Sequence, residues 1–302
     1  MPRVAFVLVP SVHLLEVAAP AQVFSIATDL GHDYRLHYVS DDAEVPSVQG
    51  LSLNVDVDWP PLAADDLVVV PGWRGPGRVI SAANARRLRE HHAAGGTVVS
   101  ICAGADALGR AGLLDGRRCT THHAIQDELA RAYPRTTVVR DVLYVSDDRV
   151  VTCAGVASAA DLALHLVGVR HGPAVAASIA RAMVVYVGRE GGDPQLSPIL
   201  RHRSHVDEAV HRIQDLIDTR FTERLPLRLL ADVAGCSERS VTRLFRRATG
   251  TTPLAYQQIL RLERAEHLIG RGATADAAAR EVGFQDARML RTIRARRQAQ
   301  HG

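Results

Sequence analysis

The chain has 302 residues, 47% apolar and 23% charged, with a formal net charge of +3. At roughly 150 residues per domain this length predicts two compact units, each able to bury a core, and the composition excludes a fibrous or disordered chain. The longest apolar runs, such as Leu67 to Val70 and Met183 to Val187, fall far short of the 18 or so residues a membrane helix needs.

The charge is unevenly divided. Through Arg203 there are 19 arginines against 21 acidic residues, and after it 17 against 12, so the first part is −2 and the last 99 residues are +5. A basic terminal domain beside a slightly acidic one is a common arrangement when one half meets a polyanion, and a solvated surface is the alternative. Every basic residue other than histidine is arginine, a pattern that reflects coding bias more than selection at each site. The N-terminus, Met1-Pro2-Arg3-Val4-Ala5-Phe6, enters a strand pattern at once, which argues against an export signal. Cys102, Cys119, Cys153 and Cys236 form no CxxC pair, and with His122 and His123 they match no zinc spacing. A reducing cytoplasm, no metal and no cofactor are the expectation.

In chain order, Val4 to Val9, Tyr34 to Val39, Leu67 to Val70 and Thr97 to Ile101 read as strands. Val17 to Leu30, Ser81 to Ala94, Ile125 to Ala132, Ser158 to Gly168 and Ala174 to Tyr186 have helical spacing. This alternation predicts an α/β fold over residues 1–187, with a parallel sheet covered on both faces. In such sheets ligands sit beyond the carboxyl ends of the strands. There the run Thr97 to Ala105 stops an apolar strand at Cys102 and turns through Ala103 and Gly104 into a helix, the layout of a nucleophile elbow. A side chain at that bend points outward, and the helix start favours a thiolate or oxyanion. A small buried residue closing the strand is the plainer alternative.

The segments SICAGADALGRAGLLDGRRCTTHH, VAFVLVPSVHLLEVAAPAQVF and VVTCAGVASAADLALHLV resemble the PfpI/ThiJ branch of the class I glutamine amidotransferase-like superfamily. The resemblance implies a flavodoxin-like sheet, places Cys102 on the family's elbow cysteine and Glu16 on the acid beside it, and sets His122 near the pocket. The protease-like members carry a histidine after the cysteine, whereas this chain has Ala103. The usual base is therefore missing, and Cys102, Glu16, Ala103, Gly104 and His122 read as a ligand pocket without turnover. The enzyme alternative, a hydratase, amidase or deglycase, would use Cys102 with Glu16 and His122. For Glu16 the alternative is a helix-entry acid, and for His122 and His123 a surface pair capping the helix that starts near Ala124.

Residues 188–205 (GREGGDPQLSPILRHRS and the residue after it) lack periodicity and read as a linker. From 206 to 302 the pattern is all helical. Val210, Ile213 and Ile217 mark a first helix; Leu227 to Ala234, ending at Gly235, is a second; a third starts after Cys236 with Ser237 as its N-cap. The last two form a helix-turn-helix whose third helix buries Val241, Leu244 and Phe245 and turns Arg239, Ser240, Thr242, Arg243 and Arg246 toward a major groove. A long helix from Pro253 to about Leu268 follows, then a second unit from Ala275 to Val282 and from Asp286 onward.

LADVAGCSERSVTRLFRRATGTTPLAYQQILRLERAEHLI and ADAAAREVGF resemble the AraC/XylS DNA-binding domain, which implies two recognition helices in adjacent major-groove segments. The second unit departs from that pattern. Leu290, Thr292 and Arg294 stand where an apolar residue, an Arg and a Phe are usual, with Ile293 packing in place of the Phe, so a less firmly anchored helix is expected. Arg288, Arg291 and Thr292 are its candidate DNA contacts. The two halves together resemble the GlxA family of transcription regulators. That resemblance implies double-stranded DNA and a small-molecule effector as partners, a homodimer, and a cytoplasmic, nucleoid-associated protein.

Overall fold

The computed structural model describes residues 1–75, 79–185, 190–193, 195, 202–203, 205–270 and 272–301, with side chains through 295. The chain divides into two compact units, Met1–Gln195 and Leu196–Gly302.

In the first unit a six-stranded sheet has the order β2-β1-β5-β6-β10-β9. Its strands are β1 (Arg3–Val7), β2 (Arg35–Val39), β5 (Leu67–Val70), β6 (Thr97–Ile101), β9 (Tyr144–Asp147) and β10 (Val150–Cys153). All neighbours pair parallel except β9, which runs antiparallel to β10 at the edge. The inner strands are continuous apolar runs because helices cover both faces, as all-parallel strands require. Period-two alternation divides them. Phe6, Val69 and Ile101 point into one core with Phe24 and Leu162, and Val7, Val68 and Val98 point into the other with Leu88 and Leu108. Two small ladders, β3 (Glu44–Pro46) with β4 (Ser52–Asn54) and β7 (Arg118–Cys119) with β8 (Thr137–Val138), lie outside the sheet.

Helices α1 (Leu14–Asp29), α2 (Ala82–Ala93), α3 (Ala105–Arg110), α4 (Gln126–Ala132), α5 (Ser158–His171) and α6 (Pro173–Ala182) complete this unit. Every helix read from the sequence is present with shifted ends. Helix α1 begins three residues early, at Leu14, and α5 runs on to His171 because Gly172, at φ +93°, supplies the stop that Gly168 does not. Helix α6 ends at Ala182, short of the expected Tyr186, which lies outside the described residues.

The second unit consists of α7 (Glu208–Arg220), α8 (Leu227–Ala234), α9 (Glu238–Thr249), α10 (Pro253–Gly270), α11 (Ala275–Glu281) and α12 (Ala287–His301). Capping chemistry explains the boundaries. Asp207, Ser237 and Thr274 accept from the amides of Val210, Ser240 and Ala277, and Gly235 and Gly250 close α8 and α9 in the left-handed conformation. Two cores form, one around Val210, Ile213, Phe245 and Tyr256, the other around Leu262, Ala279, Phe284 and Leu290. Helix α10 contributes to both.

Candidate effector pocket and nucleic-acid interface

Cys102 follows the last residue of β6 and adopts φ +55°, a left-handed conformation that costs a non-glycine residue about 1–3 kcal/mol. The elbow expected from the sequence is therefore present. It is tolerated because its surroundings are stripped of side chains. A Cβ on Gly155 would lie 2.4 Å from the Cys102 Cβ, one on Gly72 3.0 Å from the same atom, and one on Gly104 2.1 Å from the Val70 carbonyl oxygen. Cys102 and Ala103 are half-buried and Gly104 is buried.

Glu16, fully buried, does more than cap its helix. Its Oε2 accepts from the Gly72 amide at 2.7 Å and its Oε1 from the Val156 amide at 3.1 Å, so one carboxyl group braces the loops after β5 and β10. Val156 is a β-branched residue at φ +50°, a second strained position held by the same acid. Burial first, then the charge and hydrogen bond of Glu16, push the Cys102 thiol well above the ordinary cysteine range, against a lowering bond from the Ala103 amide. The thiol is protonated at neutral pH.

His122 caps the turn before α4. Its Nδ1 accepts from the Ala124 amide at 3.3 Å, and its ring lies 4.2 Å from that of His123. Burial and the neighbouring His123 and His13 hold its pKa below the ordinary range. Among the described residues His122 makes no hydrogen bond to Cys102; the thiol's partner is a carboxyl group. Activation by a Cys–His pair is thus not what this arrangement supplies. The contact that does reach the elbow comes one residue earlier, where Thr121 Oγ1 donates to the Cys102 carbonyl at 2.7 Å. Thr121, Val156, Gly155, Gly72 and His13 were not singled out from the sequence. The glycines after β5 and β10, in PGW and CAG, were the available signal.

In the second unit α8 and α9 form the first helix-turn-helix. Val241 and Phe245 are fully buried while Arg239, Arg243, Arg246 and Arg247 are exposed, with Ser240 and Thr242 half-buried. Arg239, Thr242, Arg243 and Arg246 line an open groove of about 660 Å³ together with Leu227 and Glu238. Among the described residues no ion pair engages these arginines, so their guanidinium groups face solvent. Arg288, Arg291 and Thr292 are exposed on α12; Thr292 Oγ1 returns to the Arg288 carbonyl at 3.0 Å. Ile293 packs against the second core, as expected, and Arg294 pairs with Glu266 at 3.3 Å.

The two helix-turn-helix motifs are held on one frame. Arg261, in the middle of α10, donates to the carbonyls of Phe221 at 2.6 Å, Glu223 at 2.8 Å and Gly283 at 2.8 Å, and lies over the Phe284 ring. Gln257, one turn earlier, grips Phe221 and Glu223 as well.

An α/β unit with a strained cysteine elbow, joined to a tandem helix-turn-helix unit, defines the class. The DJ-1/PfpI family pattern matches residues 2–168, and the chain belongs to that family. A helix-turn-helix domain matches residues 230–298, which gives the arrangement expected from the GlxA resemblance. The HTH-type transcriptional regulator GbdR of Pseudomonas aeruginosa is 28% identical over 88% of this chain and 73% of its own length. Isonitrile hydratase of Pseudomonas putida is 31% identical, over 75% of this chain and 97% of that protein. Among solved structures, an AraC family transcriptional regulator from Pseudomonas putida superimposes with a TM-score of 0.53 at 26% identity, over 61% of this chain and all of that one.

Proposed function

We propose that this protein is a DNA-binding transcription regulator whose first unit senses a small molecule at Cys102 and whose second unit reads two adjacent major-groove segments. The observation that carries the reading is the solvent-facing arginine groove of α9, mounted on a helix-turn-helix that shares its frame with a second one. Residues 1–187 serve as the sensing part, 188–205 as the connection and 206–302 as the DNA-binding part. Arg239, Thr242 and Arg243, with Ser240 and Arg246 flanking, contact bases and phosphates; Arg288, Arg291 and Thr292 serve the second segment. The effector contacts Cys102, Glu16, Ala103, Gly104 and His122, and acts by binding one arrangement of the protein more tightly than the other. A homodimer on repeated half-sites raises affinity through effective concentration.

Selection of genomic fragments by the full-length protein tests this, with enrichment of a defined promoter set expected. Failure to retain any fragment at low ionic strength overturns it. The 31% identity to isonitrile hydratase supports the rival reading, a cysteine enzyme. Turnover of isonitriles, amides or dicarbonyls that disappears with Cys102→Ala would establish it.

A further inference from the structure

At its end the first unit is fastened to Thr121, the residue whose hydroxyl holds the cysteine elbow. Gln195 Nε2 donates to the carbonyls of Thr121 at 2.9 Å and Val142 at 3.0 Å, and the Gln195 amide donates to Asp141 Oδ1 at 3.1 Å. Just upstream, the Gly191 carbonyl accepts from the amides of Leu143 at 2.8 Å and Tyr144 at 3.3 Å. Thr121 is fully buried and works in both directions. Its hydroxyl holds the Cys102 carbonyl at 2.7 Å, while its own carbonyl is shared between Gln126 Nε2 at 3.2 Å and Gln195. A displacement of the elbow is therefore felt at the carbonyl that Gln195 grips.

The grip is balanced near release. Gln195 Oε1 is buried with no hydrogen-bond partner, so docking this side chain gains two bonds through its nitrogen and forfeits the water its oxygen would otherwise hold.

We propose that Gln195 is a clasp that couples occupancy of the Cys102 site to the docking of the chain at Gln195, with Thr121 carrying the coupling. The proposal rests on the reading of the first unit as the sensing part. Coupling is reciprocal by thermodynamic necessity, so opening the clasp changes the Cys102 site just as filling that site changes the clasp. A residue that merely tied down loose chain would leave the thiol untouched.

The test uses the full chain in a Cys236→Ser background, which leaves Cys102 as the half-exposed thiol, with iodoacetamide as the probe that fills the site. Two rates are read by peptide mass spectrometry: alkylation of Cys102 at pH 9, and tryptic cleavage after Arg201. Gln195→Ala is expected to change the alkylation rate at least threefold. Alkylation is expected to speed cleavage at least threefold in the parent, and to have no effect in Gln195→Ala or Thr121→Val. Thr121→Ser, which keeps the hydroxyl, restores the response and separates loss of the bond from loss of the fold. Equal alkylation rates with and without Gln195 would overturn the clasp, and a cleavage response that survives Thr121→Val would remove Thr121 from it. Neither rate involves DNA, so a protein that fails to bind DNA sinks the regulator reading while these measurements still decide the clasp.

Discussion

Arg261 Nη1 donates to the Gly283 carbonyl at 2.8 Å, a single bond that ties the turn of the second helix-turn-helix to the helix carrying the first. Gly283 sits at φ +84°, and a Cβ there would lie 2.0 Å from the Thr222 carbonyl oxygen. Gly283→Ala is expected to destabilise the second unit by at least about 1–3 kcal/mol through backbone strain and collision. Arg261→Ala is expected to cost about 1.5–3 kcal/mol by freeing carbonyls from a charged donor. Urea unfolding measures both, and wild-type stability in either variant would show that the frame does not depend on this contact.

Arg243 faces the open groove on α9. Arg243→Ala is expected to weaken a selected operator by about 1–3 kcal/mol, the worth of a bidentate base contact. Titration against operator and random duplex separates the alternatives, since an equal loss on both makes Arg243 a phosphate contact.

On α12, Arg291 is exposed beside a threonine whose hydroxyl is already engaged by the Arg288 carbonyl. This arrangement favours phosphate over base contact. Arg291→Ala is expected to weaken all sequences alike and to reduce the slope of log affinity against log salt by about 1. A sequence-dependent loss would show that the second helix reads bases.

Replacing Glu16 by Gln leaves one of two amides, that of buried Gly72 or of exposed Val156, facing a donor instead of an acceptor. A destabilisation of about 1–3 kcal/mol is expected. The variant also removes the charge that, after burial, does most to keep the thiol protonated, so alkylation of Cys102 at pH 8 should accelerate. An unchanged rate would show that burial alone controls the thiol.

Cys153, fully buried with its sulfur 3.2 Å from Ser158 Oγ, is pushed up to about 12, chiefly by burial. The folded protein therefore keeps a proton that the unfolded chain releases near its ordinary pKa of about 8.5. The stability this gives is complete below that pH and is lost as pH rises toward the folded value. Over that alkaline range stability should fall with a slope set by up to one extra proton, about 1.4 kcal/mol per pH unit at most, and Cys153→Ala should flatten that part of the curve. Parallel curves for the two proteins would contradict the burial assigned to this thiol.

Much of this protein was legible in order of residues because local chemistry decides it. Apolar runs marked β5 and β6, Ser237 and Gly235 marked the turn of the first helix-turn-helix, and the shift to helical periodicity marked the second unit. The short strands β3, β4, β7, β8, β9 and β10 were not read from the sequence because runs of two to four residues carry little periodic signal, even though β3 pairs with β4 and β9 with β10, their neighbours in the chain. The same holds at the site. Cys102 announced itself by a strand ending in small residues, a pattern contained within nine positions. What surrounds it did not: Glu16 meets Gly72 and Val156 across 56 and 140 residues, and Gln195 meets Thr121 across 74. Whether an acid braces two loops or merely opens a helix depends on which backbone amides the folded sheet brings to it, and only the closed fold sets that.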